Sequence, residues 1–466
     1  MTEIAKKVSM FMQHMVPNAP IVVGTALTHY TYGPPRPSWS LKFHLIMSLI
    51  QGYTARINDV SLKEAQAMSR LNDEYAPVHK CATATESLIP LSYRDQAAVH
   101  IDHILSKEGV DAARVGWDWK NDPRAQKPYK AEWTEVRDKD SNYKEGRTVL
   151  YLHGGGYFLC SIRTHRWATY HMARLGGAKV FAVDYRLAPD SPFPAALQDS
   201  IAAYLYLLNP PADADFGPID PKNIVIMGDS AGGGLTFATL LAIKDAGLPM
   251  PAGIIGWSPW LDLLHSMPSL IENAGTDYLP ADGFSQGDQG SLRQLAKSIL
   301  NLPGEDDFHR RPELPTIQYY TQNAMLDCKY VSPILETDLK GACPIMIVSG
   351  DAEMIRDEST VFAMRHGGDH RHNKDGQGPV IQFRLYDDMP HVFMMFGFLT
   401  TAKHSMKESG DFIRAVTLGG EGPGETSRFE RIDVMGNRRE LEDNPVVDWA
   451  ERLGKLGGGR KFLSRL

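Results

Sequence analysis

Residues Ile224 to Gly234 read Ile-Val-Ile-Met-Gly-Asp-Ser-Ala-Gly-Gly-Gly, and this stretch decides the fold. Its apolar start is typical of a short buried strand, and an apolar helical pattern follows directly after the glycines. Ser230 therefore stands at a sharp turn between a strand and a helix. Small neighbours are needed there, because the backbone passes close to a serine whose strained geometry points the hydroxyl outward. The free N–H groups of the helix would face any negative charge that develops near Ser230.

Strands and helices alternate on both sides of this stretch. The predicted strands are 149–152, 180–183, 224–227, 253–257, 344–348 and 380–386, and the predicted helices include 164–175, 195–208, 356–365 and 402–416. Such alternation predicts an α/β fold with a mostly parallel, doubly wound sheet.

Three segments can be separated by composition. Residues 1–145 lack the regular alternation and are expected to form a helical cap segment with one or two edge strands; an apolar run at 39–53 either packs on the protein itself or forms a lid. Residues 146–418 form the expected core, with a Pro-, Gly-, Asp- and Asn-rich insertion at about 260–338 that contains one helical piece near 292–300. Residues 419–466 begin with a glycine-rich run and are expected to be a flexible C-terminal extension.

Composition excludes several classes of protein. The 466 residues carry a net charge of -7 without a basic block, so nucleic-acid binding is not expected. Cys81, Cys160, Cys328 and Cys343 lack metal-ligand spacing, which argues against structural zinc and a disulfide framework and favours a cytoplasmic location. No membrane span, metal or cofactor is predicted, and the pattern specifies no oligomeric state.

Side chains suited to acyl transfer follow the predicted strands. Acyl transfer through a serine needs a base, an acid that orients the base, and hydrogen-bond donors for the oxyanion. His391 follows the last predicted strand and is the expected base. Asp351, Glu353 and Asp357 all follow strand 344–348, and each of them could orient the histidine. Because parallel sheets carry their chemistry at the carboxyl ends of strands, these groups are expected to meet near Ser230.

A glycine loop ends the first strand of the core. It reads His153-Gly154-Gly155-Gly156-Tyr157. Successive glycines let the backbone approach a substrate and direct N–H groups at it, as the corresponding loop does in lipases and esterases.

Several motifs in the same order resemble the hormone-sensitive-lipase-like branch of the α/β-hydrolases, which includes microbial carboxylesterases and arylacetamide-deacetylase-like enzymes. They are the glycine loop, Asp184-Tyr-Arg-Leu-Ala-Pro-Asp-Ser-Pro-Phe-Pro-Ala-Ala-Leu197, Gly228-Asp-Ser-Ala-Gly-Gly233 and Ser258-Pro-Trp-Leu-Asp262. The family carries its acid in a motif like Asp-Pro-Leu-Arg-Asp-Glu. Aligning Arg356-Asp357-Glu358 with its end implies that Glu353 is the acid, in place of the usual aspartate, with Asp351 as the second choice.

The resemblance also implies an oxyanion hole and two structural acids. The N–H groups of Gly155, Gly156 and Ala231 would be the oxyanion donors. Asp229 and Asp184 would be structural.

The expected function is that of a serine hydrolase which cleaves a carboxylic ester of a small apolar or aromatic molecule through an acyl-enzyme. One alternative is acyl transfer, or a base-catalysed condensation or rearrangement of a biosynthetic intermediate, in which His391 would matter more than Ser230. A second alternative is a ligand-binding protein without catalysis. Five aromatic residues favour an apolar or aromatic ligand unless they belong to the core: Trp39, Trp117, Trp119, Trp133 and Tyr278.

Overall fold

The computed structural model describes residues 18–55, 60–70, 73, 76–136, 143–280, 318–368, 378–424 and 426–441. Ten strands form one sheet in this part of the chain. They are β1 (Ala82–Ile89), β2 (Tyr129–Val136), β3 (Thr148–Leu152), β4 (Lys179–Val183), β5 (Ile224–Asp229), β6 (Gly253–Trp257), β7 (Ile345–Gly350), β8 (Ile381–Tyr386), β9 (Arg428–Ile432) and β10 (Arg438–Glu440).

The helices lie between and around these strands. They are α1 (residues 18–31), α2 (Leu41–Thr54), α3 (Leu62–Ser69), α4 (Leu91–Lys107), α5 (Ala112–Val115), α6 (Arg166–Gly176), α7 (Ala195–Leu208), α8 (Ser230–Asp245), α9 (Ser269–Glu272), α10 (Arg356–Ala363) and α11 (Thr400–Val416). No helix of the described residues is long and apolar enough to cross a bilayer.

The sheet is parallel at its centre and antiparallel at its ends. Its strand order is β1-β2-β4-β3-β5-β6-β7-β8-β9-β10. The pairs from β4 to β9 are parallel, whereas β1, β2 and β10 pair antiparallel with their neighbours. The predicted α/β fold with a mostly parallel sheet is therefore confirmed.

Both faces of the central strands are covered by helices. In β3, Val149 and Tyr151 pack with residues of α2, α6 and α11, while Leu150 and Leu152 pack on the other face with α4, α7 and α8. All five residues of β3 are buried. This two-sided burial explains why the core strands are continuous apolar runs, whereas a sheet with one wet face would alternate.

The N-terminal segment, where the sequence predicts one or two edge strands, contains β1 at the edge of the sheet and β2 between β1 and β4. Its apolar run forms α2. Phe43 and Met47 of this helix, and Trp39 just before it, are buried against the protein itself. The helix that we predicted near residues 292–300 lies outside the described residues.

The C-terminal segment departs from the expected flexible extension. β9 pairs in parallel with β8, with Gln382 opposite Arg428 at one end and Tyr386 opposite Ile432 at the other, and β10 pairs with β9. The prediction is wrong for these residues, while 442–466 lie outside the described part of the chain. The strand was not predicted because the glycine-rich run at 419–424 resembles a linker and because the charged residues of β9 break the apolar pattern expected of a strand. Those charges are paired, as in the contact of Glu430 with Arg384 of β8.

Ile432 offers a direct test of this correction. Its side chain is fully buried beside β8, so Ile432→Ala is expected to lower the free energy of unfolding by about 2–4 kcal/mol. Met435, which is 80% exposed in the same segment, is the matched control, and Met435→Ala should change that free energy by less than about 0.5 kcal/mol. Urea unfolding followed by fluorescence measures both, and equal effects would mean that β9 does not stabilise the fold.

Candidate active site

Ser230 is the first residue of α8, directly after β5. Its φ of 52° lies in the left-handed region, which is strained for a residue with a Cβ. Side chains on the flanking glycines have no room: a Cβ on Gly228 would lie 2.3 Å from the Gly232 carbonyl oxygen, and a Cβ on Gly232 would lie 2.0 Å from the Leu152 carbonyl oxygen. The predicted strand, sharp turn and helix are thus confirmed, together with the steric reason for the glycines.

His391 meets this serine from the opposite end of the core. It follows β8, and its Nε2 lies 2.8 Å from Ser230 Oγ although the two residues are 161 positions apart. Two contacts hold its loop: His391 N–H donates to Asp277 Oδ1 at 3.2 Å, and Val392 N–H donates to Ser258 Oγ at 3.0 Å. The imidazole can therefore accept the hydroxyl proton of Ser230 without rearrangement.

Of the three candidate acids after β7, Glu353 lies beside the imidazole of His391. Its Oε2 is 3.5 Å from His391 Nδ1, and its side chain is fully buried. Asp351 faces elsewhere: its carboxylate accepts a hydrogen bond from Asp388 N–H at 2.6 Å and pairs with Arg431. Asp357, the third candidate, accepts from Ser269 N–H at 3.0 Å and pairs with Arg356.

Sequence reasoning missed Asp277, a buried acid beside the same histidine. Its carboxylate accepts hydrogen bonds from the N–H groups of Met354 at 2.6 Å, Tyr278 at 2.7 Å and His391 at 3.2 Å. Burial raises the pKa of Asp277 to about 6. It joins the acid-bearing loop to the histidine-bearing loop. Because Asp277 lies in the irregular insertion, no strand or motif marks it in the sequence.

The environment of His391 favours its charged form. Burial by itself lowers the pKa of the imidazole, but the carboxylates of Glu353, Asp277 and Asp229 together raise it above its ordinary value. An imidazole that gains a proton from Ser230 is stabilised in this way.

The glycine loop is held against the serine turn by Asp229. Asp229 Oδ1 accepts from Gly154 N–H at 3.1 Å and from Tyr151 O–H at 2.7 Å. Gly155 and Gly156, with φ of 111° and 62°, line the cavity above Ser230. Within the described residues, their N–H groups have no hydrogen-bond acceptor. As far as the described residues go, two backbone donors are thus available to an oxygen bound in the cavity.

The structure also shows where Ala231 and Asp184, two further residues named from the resemblance, lie in the fold. Ala231 is buried at the start of α8, next to Ser230, so its N–H belongs to the first turn of that helix. Asp184 follows β4, and its N–H donates to the Lys130 carbonyl at 3.0 Å.

A cavity of about 660 Å³ opens above Ser230 and His391. Its wall is mostly apolar and comes from α2, α3, the glycine loop and the insertion, including Ile50, Met68, Leu159, Leu270 and Leu279. Tyr278 also lines it, with its ring centroid 5.8 Å from that of His391.

The other aromatic candidates do not line this cavity. Trp39, Trp119 and Trp133 are buried in the core, and Trp117 is partly buried against it. Of the five, Tyr278 alone can contact a ligand there. Among the described residues, no cluster of His, Cys, Asp and Glu could hold a metal ion.

Comparison with known proteins identifies the family. The family model of the alpha/beta hydrolase fold matches residues 149–395, more than half of the chain. The chain therefore belongs to the α/β-hydrolase fold family.

Individual relatives agree with this assignment. An acetyl-hydrolase of Streptomyces hygroscopicus is 31% identical over 296 residues, which cover 63% of this chain and 81% of that protein. The crystal structure of EstE5 soaked with ethyl alcohol has a TM-score of 0.57 and 26% identity, covering 80% of this chain and 97% of EstE5. The crystal structure of an esterase from the bacterial hormone-sensitive lipase family has a TM-score of 0.53 and 25% identity, covering 79% of this chain and 97% of that esterase. The predicted resemblance to that branch is confirmed.

Proposed function

We propose that this protein is a serine carboxylester hydrolase with Ser230, His391 and Glu353 as its catalytic triad. The observation that carries the proposal is the 2.8 Å contact between Ser230 Oγ and His391 Nε2 at the base of an apolar cavity. The printed names of its relatives, an acetyl-hydrolase and an esterase among them, support ester cleavage as the reaction.

Each group then has a defined step. Ser230 Oγ attacks the ester carbonyl while His391 Nε2 takes the hydroxyl proton, and His391 returns that proton to the departing alcohol. Water, deprotonated by the same imidazole, releases the acid from the acyl-enzyme. Glu353 holds the imidazole in the required tautomer and stabilises its charge, a role that the 3.5 Å separation supports.

The N–H groups of Gly155, Gly156 and Ala231 are the proposed oxyanion donors. Donors held by a folded backbone stabilise the tetrahedral intermediate without reorganisation, which is a large part of catalysis in acyl transfer. In the described part of the chain the N–H groups of the two glycines have no acceptor, which supports this role.

The substrate that we propose is an ester of a small apolar or aromatic molecule. The apolar wall and the ring of Tyr278 favour such a ligand over a charged one, because desolvating a charge in this cavity would be costly. We propose that residues 1–145 and the insertion at about 260–338 form the cap; α2, α3 and residues 270–280 support this by lining the cavity.

We also propose a cytoplasmic location. Its support is that all four cysteines are unpaired thiols, as a reducing compartment would keep them.

A fluorophosphonate probe tests the proposed nucleophile. The probe should label the wild-type protein at Ser230, because only a serine activated by a base reacts with it at an appreciable rate. Peptide mass mapping after digestion identifies the labelled residue. A protein that hydrolyses no member of a panel of 4-nitrophenyl esters and takes up no label would contradict the proposal and favour the ligand-binding alternative.

A further inference from the structure

Arg431 connects the two loops that carry the proposed acid and base. It lies in β9, outside the segment 149–395 that matches the family. Its Nη2 pairs with Asp351, two residues before Glu353, and its Nε pairs with Asp387, four residues before His391. A planar guanidinium suits this bridge, since its donors point in fixed directions toward two carboxylates.

The bridge is partly shielded from solvent. The side chain of Arg431 is 24% exposed, and those of Asp351 and Asp387 are 9% and 19% exposed. Ion pairs that water screens weakly hold their geometry better than pairs at the open surface. The guanidinium is therefore placed to restrain both loops.

Further hydrogen bonds join the same two loops. Asp351 Oδ1 accepts from Asp388 N–H at 2.6 Å, and Ala352 N–H donates to the Met389 carbonyl at 3.0 Å. β9 adds a bond of its own, because Asp387 N–H donates to the Ile432 carbonyl at 2.9 Å. Arg431 thus reinforces a junction that the C-terminal strand already contacts.

The catalytic contact beside this junction is sensitive to small displacements. Glu353 Oε2 and His391 Nδ1 are 3.5 Å apart, and within the described residues neither carboxylate oxygen of Glu353 has a hydrogen-bond partner. The distance between acid and base therefore depends on how the two loop backbones are held, and a shift of about 1 Å can cost up to about 100-fold in rate.

We propose that Arg431 is a positioning residue that holds the Glu353 loop against the His391 loop, so that the acid stays beside the base. The inference rests on the proposed function, and it gives the C-terminal strands a role in catalysis.

The variant Arg431→Gln tests the proposal through kinetics. With 4-nitrophenyl butyrate we expect kcat to fall about tenfold or more while KM stays within about twofold, because alignment is lost and substrate binding is kept. The acidic limb of the pH–rate profile should shift to lower pH, because a displaced Glu353 stabilises the charged imidazole less. The other groups that face His391, which are Asp277, Asp229 and Tyr278, are unchanged in this variant. Arg431→Lys should restore part of kcat, because it keeps the charge but cannot span both carboxylates.

Arg439→Gln is the matched control. Arg439 pairs with the same Asp387 at 3.2 Å but is 64% exposed and does not reach Asp351. It should leave kcat and the pH profile unchanged. In a double-mutant cycle, Asp351→Asn should add little to the fall in kcat already caused by Arg431→Gln, because both substitutions remove the same ion pair.

Thermal unfolding separates this role from a structural one. A lower Tm of Arg431→Gln with unchanged kcat and an unmoved acidic limb would overturn the inference while leaving the proposed function intact. Additive losses in the double-mutant cycle would also overturn it. A wild-type protein that turns over no ester and takes up no fluorophosphonate would refute the proposed function, and this inference with it.

Discussion

Replacing Ser230 with alanine is expected to lower kcat for 4-nitrophenyl butyrate by at least about 10⁴-fold, because the variant loses the atom that forms the acyl-enzyme. The 2.8 Å contact with His391 Nε2 is the reason for this expectation. Folding should be preserved: alanine keeps the Cβ, so the strained turn at φ 52° changes little. Steady-state kinetics, with circular dichroism and Tm as checks on folding, measure the effect.

His391→Ala separates nucleophilic catalysis from the alternative chemistry. If both residues act in one proton transfer, the two single variants and the double variant should lose similar activity, because either change stops the same step. On the physiological substrate, a large loss with His391→Ala and near-normal turnover with Ser230→Ala would instead support base catalysis without an acyl-enzyme.

Replacing Glu353 with glutamine is expected to lower kcat by about 10³- to 10⁴-fold. An amide keeps the size of the side chain but removes the charge that stabilises the protonated imidazole and selects its tautomer. The pH profile should change as well. His391 acts as a base only when neutral, so activity rises with pH through its pKa, which the surrounding carboxylates raise above the ordinary value. Without the charge of Glu353 that pKa falls, and the acidic limb of the profile should move to lower pH.

Asp351→Asn provides the comparison, because the sequence makes Asp351 the second choice among the three acids that follow β7. Its carboxylate faces Asp388 N–H and Arg431, away from the imidazole. The fall in kcat of Asp351→Asn should therefore be far smaller than that of Glu353→Gln, about tenfold. Equal or larger losses in Asp351→Asn than in Glu353→Gln would contradict the assignment of Glu353 as the acid.

The local sequence was sufficient to predict those parts of the structure that depend on backbone sterics or on burial of a strand on both faces. The serine turn could be predicted because Gly228 and Gly232 have no room for side chains. The core strands could be predicted because strands covered on both faces need continuous apolar runs, as in β3. The order of serine, acid and histidine, each after a strand, then indicated the site.

Strand β9 and Asp277 escaped prediction for the opposite reason. β9 has no apolar run, and its charged residues find partners on neighbouring strands and loops, such as Glu430 with Arg384. Asp277 lies in an irregular insertion, and its partners Met354 and His391 are distant in sequence. Neither feature has a local signature, because each depends on contacts between remote segments.

The sequence by itself therefore determined the fold class, the serine turn, the glycine loop and the histidine, since short-range sterics and burial patterns encode them. The tertiary structure decided which acid faces the imidazole, which of the five aromatic candidates lines the cavity, and how the C-terminal strands contact the loops of the site. These outcomes depend on separations of a few ångströms between residues that are remote in sequence, such as Arg431 and Asp351, which are 80 positions apart. Only the packing of the folded chain sets such distances.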